Sequence, residues 1–382
     1  MTASDGARTC ACHDLDEIVN EQAGGSVPKV EYDPTTNSWS LGPTESDLQH
    51  LARALRWLFR RQEYINYSPD HAAEAYQDSS IQFVQPPGGR IRAPYQLLVD
   101  YRQWPSNWGW GTIEFAEDYC FPGALAKHKT AMIRQFERQN LLKKGNQRAL
   151  RVLRCDLRRK VPHLVVQGAF YHDQVGSNLT LDFPFATPVP VGDVQCRCVR
   201  EWDVVQARGN AKHLPEFEES KLANTVGVAI GMTARSRDGR LYWLRRKRSK
   251  TVAVYPGMWH VPFSFGLAID EHSRRAKDIK SLIRFDLGVE RAEELGGLEY
   301  SDFGELRPLA LCRDLARGGK PQFFFELPCL VPFEDLRRKA VDTTSEFAGK
   351  IETISNGEEE MFSPELACFM LLKLLSGLDQ AG

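Results

Sequence analysis

Residues 223–266 decide the fold: ANTVGVAIGMTA (223–234), the turn SRDGR (236–240), LYWLRRKR (241–248) and VAVYPGMWHVPFSFG (252–266). Two alternating apolar runs joined through Asp238-Gly239 predict a β-hairpin, because that dipeptide tolerates the positive φ that tight hairpin turns demand. A Pro-Gly turn follows at Pro256-Gly257. Beyond Gly266 the chain takes on a helix-like pattern that ends at Asp286-Leu-Gly288-Val.

This arrangement resembles the Nudix family. The residues that carry the resemblance are the strand pair, Arg245-Arg246 at its end, the turn Pro256-Gly257-x-Trp259-x-x-Pro262, Gly266, and the helix ending at Gly288. ALCRDLARGGKPQFFFEL (310–327) is similar to the later strands of actinobacterial-type members. The resemblance implies an α/β/α sandwich over residues 221–382 and a ligand of the nucleotide or diphosphate-linked class. It also implies Arg245, Arg246, Trp259, Arg313 and Lys320 as ligand-binding residues.

The family's hydrolases carry the pattern G-x5-E-x7-R-E-U-x-E-E-x-G-U, whose glutamates hold magnesium against a diphosphate through oxygen ligands. Placing its last glycine on Gly288 puts Ser281 and Leu282 at the Arg-Glu positions, and Phe285 and Asp286 at the Glu-Glu positions. Only Asp286 is carried over. Glu271 and Asp270 lie near the first glutamate, in a segment one residue longer than the pattern. Catalytic roles are therefore expected of Asp286 and Glu271, and metal ligation of Asp286, Glu271 and Asp270, only if the chain is active. Magnesium or manganese is the implied ion, with Asp278 and Glu358-Glu359-Glu360 as further candidate ligands. Binding without hydrolysis is the favoured reading, and a hydrolase with a non-standard metal site is the alternative. The related isomerases share Tyr255-Pro256-Gly257-Met258-Trp259, but HVPFSFG lacks their cysteine.

Length and charge bound the remaining possibilities. A chain of 382 residues predicts two domains. With 49 basic and 50 acidic side chains, no global field draws in nucleic acid or an anionic membrane. No apolar run reaches the ~18 residues of a membrane helix, and MTASDGARTCACHDLDE has no signal-peptide core, so a cytoplasmic protein without a membrane partner is expected. Nine cysteines scattered along the chain favour free thiols over a disulfide framework. Cys10-Ala-Cys12-His13 lacks the spacing and fourth ligand of a zinc site. Cys196 and Cys198 read as small residues on one face of a strand. Neither G-x-S-x-G, H-E-x-x-H nor G-x-G-x-x-G occurs, and Gly318-Gly319-Lys320 lacks Walker spacing.

The expected organisation is a disordered leader (1–26), a mixed, mainly antiparallel α+β domain (27–206), a linker (207–220) and the Nudix-like sandwich (221–382). In the first domain a helix is predicted over Leu48–Phe59, followed by strands at 81–84, 95–104 and 111–119 and a helix over 123–142. Trp104, Trp108 and Trp110 suit a core end more than a base-stacking platform. Lys143–Lys160 carries the densest positive charge, and Arg148, Arg151 and Arg154 would share one helical face. With overall neutrality this reads as a solvated stripe, and nucleic acid is not the expected partner. Three strands follow, in 161–171, 177–185 and 193–205. Past the hairpin, strands are expected in 305–315 and 320–331, a short helix at 332–340, and a closing helix opened by Ser363-Pro364-Glu365.

Overall fold

The computed structural model describes residues 31–33, 38–40, 76, 81, 83–84, 93–104, 109–142, 145–159, 161–209, 212–271, 273–295, 297–340, 346–354 and 362–381. The expected helix over Leu48–Phe59, together with Cys10, Cys12, Trp108 and Glu358–Glu360, lies outside them.

Among the described residues, eight strands precede the hairpin. β1 (Glu31–Asp33) and β2 (Ser38–Ser40) pair with each other, and β3 (Tyr95–Asp100) stands apart from them. β4 (Thr112–Phe115), helix α1 (Ala126–Arg138), β5 (Arg148–Asp156), β6 (His163–Phe170) and the short helix α2 (Tyr171–Val175) come next. β4, β6 and β5 form one sheet. β7 (Pro184–Val191) and β8 (Val194–Cys198) form a ribbon that runs into α3 (Val199–Arg208).

The central sheet is built by β9 (Gly227–Arg235), β10 (Leu241–Arg248), β11 (Trp259–His260), β12 (Phe263–Gly266), β13 (Arg307–Asp314), β14 (Lys320–Cys329) and β15 (Phe347–Thr353). Helices α4 (Ile279–Glu294), α5 (Phe333–Lys339) and α6 (Pro364–Ala381) interrupt and close this series. Strand order is β11-β10-β9-β14-β13-β3, with β12 also pairing β9 and β15 also pairing β10. Among the named strands of this sheet as described, the β14–β9 pair is parallel and the others are antiparallel. The β9–β10 hairpin forms as its sequence demands, closed by Ser236 N–H donating to Arg240 O, with Gly239 at φ +89°.

Alternation along β9 separates two cores. Val228, Ile230 and Met232 pack with Ile279, Leu282, Ile283 and Leu287 of α4. Ala229 packs with Leu366, Phe369 and Leu372 of α6, across the other face. Because helices cover both faces, β9 and β14 read as nearly continuous apolar strands. Gly231 belongs to the α6 face, where a Cβ would lie 2.1 Å from the Phe369 ring. The glycine makes room for that ring.

Sheet and core both cross the expected boundary at 207–220. β3, from the expected first domain, pairs antiparallel with β13, and Ala310 lies opposite Asp100. Leu150 N–H donates to Leu267 O, and Val226 N–H donates back to Leu150 O. Within the expected linker, Leu214, Phe217 and Ser220 are buried.

Several local expectations are corrected. The Arg148–Arg154 segment is strand β5, not a helical stripe, with a bulge between Val152 and Arg154. Arg151 is buried: it donates to Leu222 O, Ser220 O and Gln167 Oε1 and lies 4.7 Å from the Tyr119 ring centre. Residues 199–205, expected as strand, continue β8 as α3. Residues 177–183 form turns, not a strand, and Asn178 there is buried against Asn224 and Arg317 O. Trp110 is core, with its ring 4.9 Å from Phe325. Among the described residues no helix is long and apolar enough to cross a membrane.

Candidate functional site

A cavity of about 190 Å³ opens where the end of the hairpin sheet meets residues of β5 and α2. Gly227 of β9, Ser264 and Gly266 of β12, and Lys320 and Gln322 of β14 line it. Arg317 reaches in from the turn between β13 and β14, Glu365 from the first turn of α6, Arg248 from the end of β10, and Arg148 from β5. Apolar surface from Tyr171, Val252, Val254 and Phe265 faces these charges. A water needs roughly 10–15 Å³ of such space, so the cavity has room for on the order of ten waters. That volume suits a diphosphate with part of an attached group.

A buried charged chain closes its inner end. Asp314 Oδ2 accepts from Arg317 Nε at 2.6 Å, and Arg317 Nη2 donates to Glu365 Oε1 at 2.6 Å. Glu365 Oε2 faces His260 Nε2 at 2.6 Å and accepts from Ser264 Oγ at 2.8 Å. Burial alone would raise the Glu365 carboxyl, but His260, Arg317 and Lys320 around it hold it well below the usual range. Burial lowers His260, with Glu365 opposing. Glu365 is therefore the charged partner, a carboxylate that the His260 ring nitrogen faces.

The local folding of these groups is unusual. Arg317 and Asp314 flank a turn that ends in Gly318 and Gly319 at φ +70° and +78°, and Arg317 N–H is capped by Asp314. Tyr255 sits at φ +50° just before Pro256-Gly257, a strained conformation for an aromatic residue. Its ring lies 5.6 Å from the Arg317 guanidinium. The hydroxyls of Tyr255 and Tyr95 are buried without a hydrogen-bond partner among the described residues. Burial holds both phenols well above their ordinary range.

Lys320 is the expected ligand-binding residue that lines the cavity. Its ammonium is buried, and the polar group within 3.4 Å of it is the Gln322 side-chain amide, whose oxygen, in the orientation that satisfies it, accepts from Ala229 N–H at 3.1 Å. Burial, and after it the charge of Arg317, lower the amine to about 7. The other expected ligand-binding residues are not in the cavity wall. Arg245 is buried with its guanidinium 4.0 Å from the Trp259 ring centre and 3.8 Å from Glu352. Arg246, on the opposite strand face, lies 4.0 Å from the Phe347 ring. Arg313 is buried over Phe217 and donates to Gly319 O and Pro215 O. Trp259 is buried in the α6-side core.

The expected metal ligands do not assemble. Asp286 Oδ2 accepts from Ala268 N–H at 3.0 Å, and Asp270 accepts from Ser273 N–H at 2.7 Å. Glu271 is fully exposed, 3.9 Å from Arg275. Among the described residues no group of three or more His, Cys, Asp or Glu is placed to hold a metal ion. These donors do not fit magnesium, which asks for near-octahedral oxygen ligation, and no chemical step through a metal follows from them.

Arg317, Glu365, His260, Arg248 and Asp314 were not singled out by sequence reasoning as site residues. Glu365 carried a signal, as an acid in a helix first turn, but that pattern explains itself by the helix dipole.

No family model matches the chain, and no curated protein matches it. Solved structures that match in part include Nudix proteins. The RenU Nudix hydrolase from M. smegmatis matches at 14% identity over 40% of this chain and 85% of that one, with a TM-score of 0.24. The NUDIX domain of Shewanella oneidensis NrtR, complexed with ADP ribose, matches at 12% over 41% and 86%, with a TM-score of 0.25. DR0079 from Deinococcus radiodurans matches at 16% identity over 34% of this chain, with a TM-score of 0.24, and the match spans 66% of its length. Likeness at these scores carries no argument about the site.

Proposed function

We propose that the chain is a Nudix-like protein that binds a nucleotide or other diphosphate-linked small molecule in the cavity beside β9, β12 and β14, without magnesium-dependent hydrolysis. The observation that carries this reading is the composition of the cavity wall. Arg148, Arg248, Arg317 and Lys320 face it, against Glu346 and Glu365, with an aromatic and aliphatic surface opposite.

Both acids are already engaged, Glu365 by Arg317 and His260 and Glu346 by Arg248 at 3.8 Å. Arg148 pairs with Asp118 at the surface, where such pairs are weak and easily exchanged. An incoming diphosphate thus meets guanidinium groups it can recruit, and its organic part meets Tyr171 and Phe265. The mixed sheet, with a helix on each face and a parallel β14–β9 contact, supports the fold part of the reading.

Calorimetry with ADP-ribose, NAD and nucleoside triphosphates, without added metal, tests the binding. A charge-assisted phosphate contact is worth about 1.5–3 kcal/mol, so Arg248→Ala should weaken the preferred ligand tenfold or more. Failure of every compound to bind would defeat the reading. Metal-dependent release of nucleoside monophosphate, abolished by Asp286→Ala, would replace it with a hydrolase.

A further inference from the structure

We propose that Lys320 and Arg317 form a phosphate pocket at the buried end of the cavity, and that the phosphate enters together with a proton taken up by Lys320. The inference rests on the reading that the cavity holds a diphosphate-linked ligand, and adds which group is bound deepest and how pH regulates it.

An ammonium has three donors, and the neutral Gln322 amide 3.4 Å from Lys320 has its oxygen taken by Ala229 N–H and Val228 N–H. Arg317 spends Nε on Asp314 and Nη2 on Glu365, while its Nη1 makes no hydrogen bond among the described residues. Two buried cationic groups of the wall therefore keep donors in hand. An oxyanion is the group that satisfies several such donors at once. Gly227 is part of the same construction: a Cβ there would lie 2.3 Å from Lys320 Nζ and 2.1 Å from Gln322 Oε1. Only a residue without a side chain lets the amine lie flat against β9.

The charges facing Lys320 are Arg317 and, opposing it, Glu365 and Asp314. Arg248, Arg148 and Glu346 complete the wall, and His260 stands behind Glu365. Asp314 and Glu365 are both held by Arg317, so neither is free to pair tightly with the amine. In the unliganded protein burial brings the amine down to about 7, so its charge changes within reach of neutral pH. An anion beside it favours the charged form and raises it. Binding then draws in a proton. If only the charged form binds, apparent affinity tracks the charged fraction. The sign is a loss of affinity as pH rises, about fivefold from pH 7 to pH 8.

The probe must not titrate in this window, which excludes phosphate monoesters, whose second proton leaves near pH ~6. ADP-ribose, a diphosphate esterified at both ends, qualifies. Calorimetry at neutral pH in two buffers of different ionisation enthalpy gives the proton count. We expect an uptake of about half a proton in the wild-type protein, growing toward one at higher pH. Lys320→Arg, with a permanent charge, should bind without uptake and with affinity independent of pH. Equal affinity at pH 7 and pH 8 with no uptake in the wild type would overturn the proposal and leave the binding reading standing. Uptake that persists unchanged in Lys320→Arg would move the proton to His260 and also overturn it. NAD, also a diphosphate esterified at both ends, replaces ADP-ribose if that does not bind, and no binding of either or of a nucleoside triphosphate at any pH would instead remove the cavity reading on which the proposal rests.

Discussion

Glu365 is buried at the first turn of α6, and both its oxygens are engaged, one by Arg317 and the other by His260 and Ser264. Removing one partner from a buried ion pair leaves the other charge uncompensated, at about 3–5 kcal/mol. Glu365→Gln should therefore lower urea stability by that order, and a loss below about 1 kcal/mol would show that the chain of charges is not closed. The pH dependence has a definite sign. The folded carboxyl lies well below its ordinary 4.5, so its stabilisation is present above that value and is lost as pH falls below it. Lys320 acts in the opposite sense. Its folded value of about 7 lies below the ordinary 10.5, so the unfolded chain holds more protons between the two and stability rises with pH through that window. The slope approaches about 1.4 kcal/mol per pH unit. The unliganded wild type minus Lys320→Met, compared by denaturant titration from neutral pH upward, should show that slope. A flat difference would place the amine near its ordinary value.

At the scale of elements, periodicity was readable wherever one element occupied one environment. The β9–β10 hairpin, β13, β14 and α6 follow from apolar alternation, a Gly turn and a Ser-Pro cap, and Leu366 N–H indeed donates to Ser363 Oγ. Arginines three apart suit a helix face and also suit a bulged strand, and pairing with β6 makes residues 148–156 the strand β5. β15, FAGKIET, escaped notice because its mixed composition gains strand character from pairing with β10. The site was less legible than the fold. His260, Arg317 and Glu365 stand far apart in sequence and meet only because β14 returns parallel to β9 and α6 lies across it. Helix α4 forms close to where the sequence predicts a helix ending near Gly288. Leu282 is buried in the core and Phe285 is among the exposed apolar side chains of α4. In the proposed reading these two side chains stand where the family pattern has metal-binding acids, which leaves Asp286 as the acid carried over. Magnesium or manganese should therefore not produce monophosphate from ADP-ribose, NAD or dinucleoside polyphosphates. Turnover near ~1 per second, within the ordinary range of enzymes, would refute this.

For the whole molecule, the question is whether the expected division at 207–220 separates two independent bodies. Gly209, Lys212 and His213 are exposed and lie between α3 and the buried Leu214, so a protease has access there. A cut at that point breaks one covalent link and none of the contacts that cross it. β3 stays paired to β13 through the register Val99 to Leu311, and residues 149–152 stay bonded to 224–226 and 267–268. Arg151 still reaches Ser220 O and Leu222 O, and Arg200 still donates to Leu315 O and Ala316 O. Apolar residues from both sides, among them Val99, Leu150 and Val166 with Val228 and Phe265, share one core. Separating the pieces would expose that core to water, at about 25 cal/mol per Å² of apolar surface. We therefore expect limited proteolysis to cut first within 207–220, and the two fragments to elute together on size exclusion until denaturant is added. The cavity takes Arg148 and Tyr171 from one fragment and Lys320 and Arg317 from the other, so the nicked protein should also keep its ligand affinity. First cuts inside 111–119 or 224–266 would remove the boundary. Fragments that part without denaturant would show that the shared sheet and core do not hold the halves together.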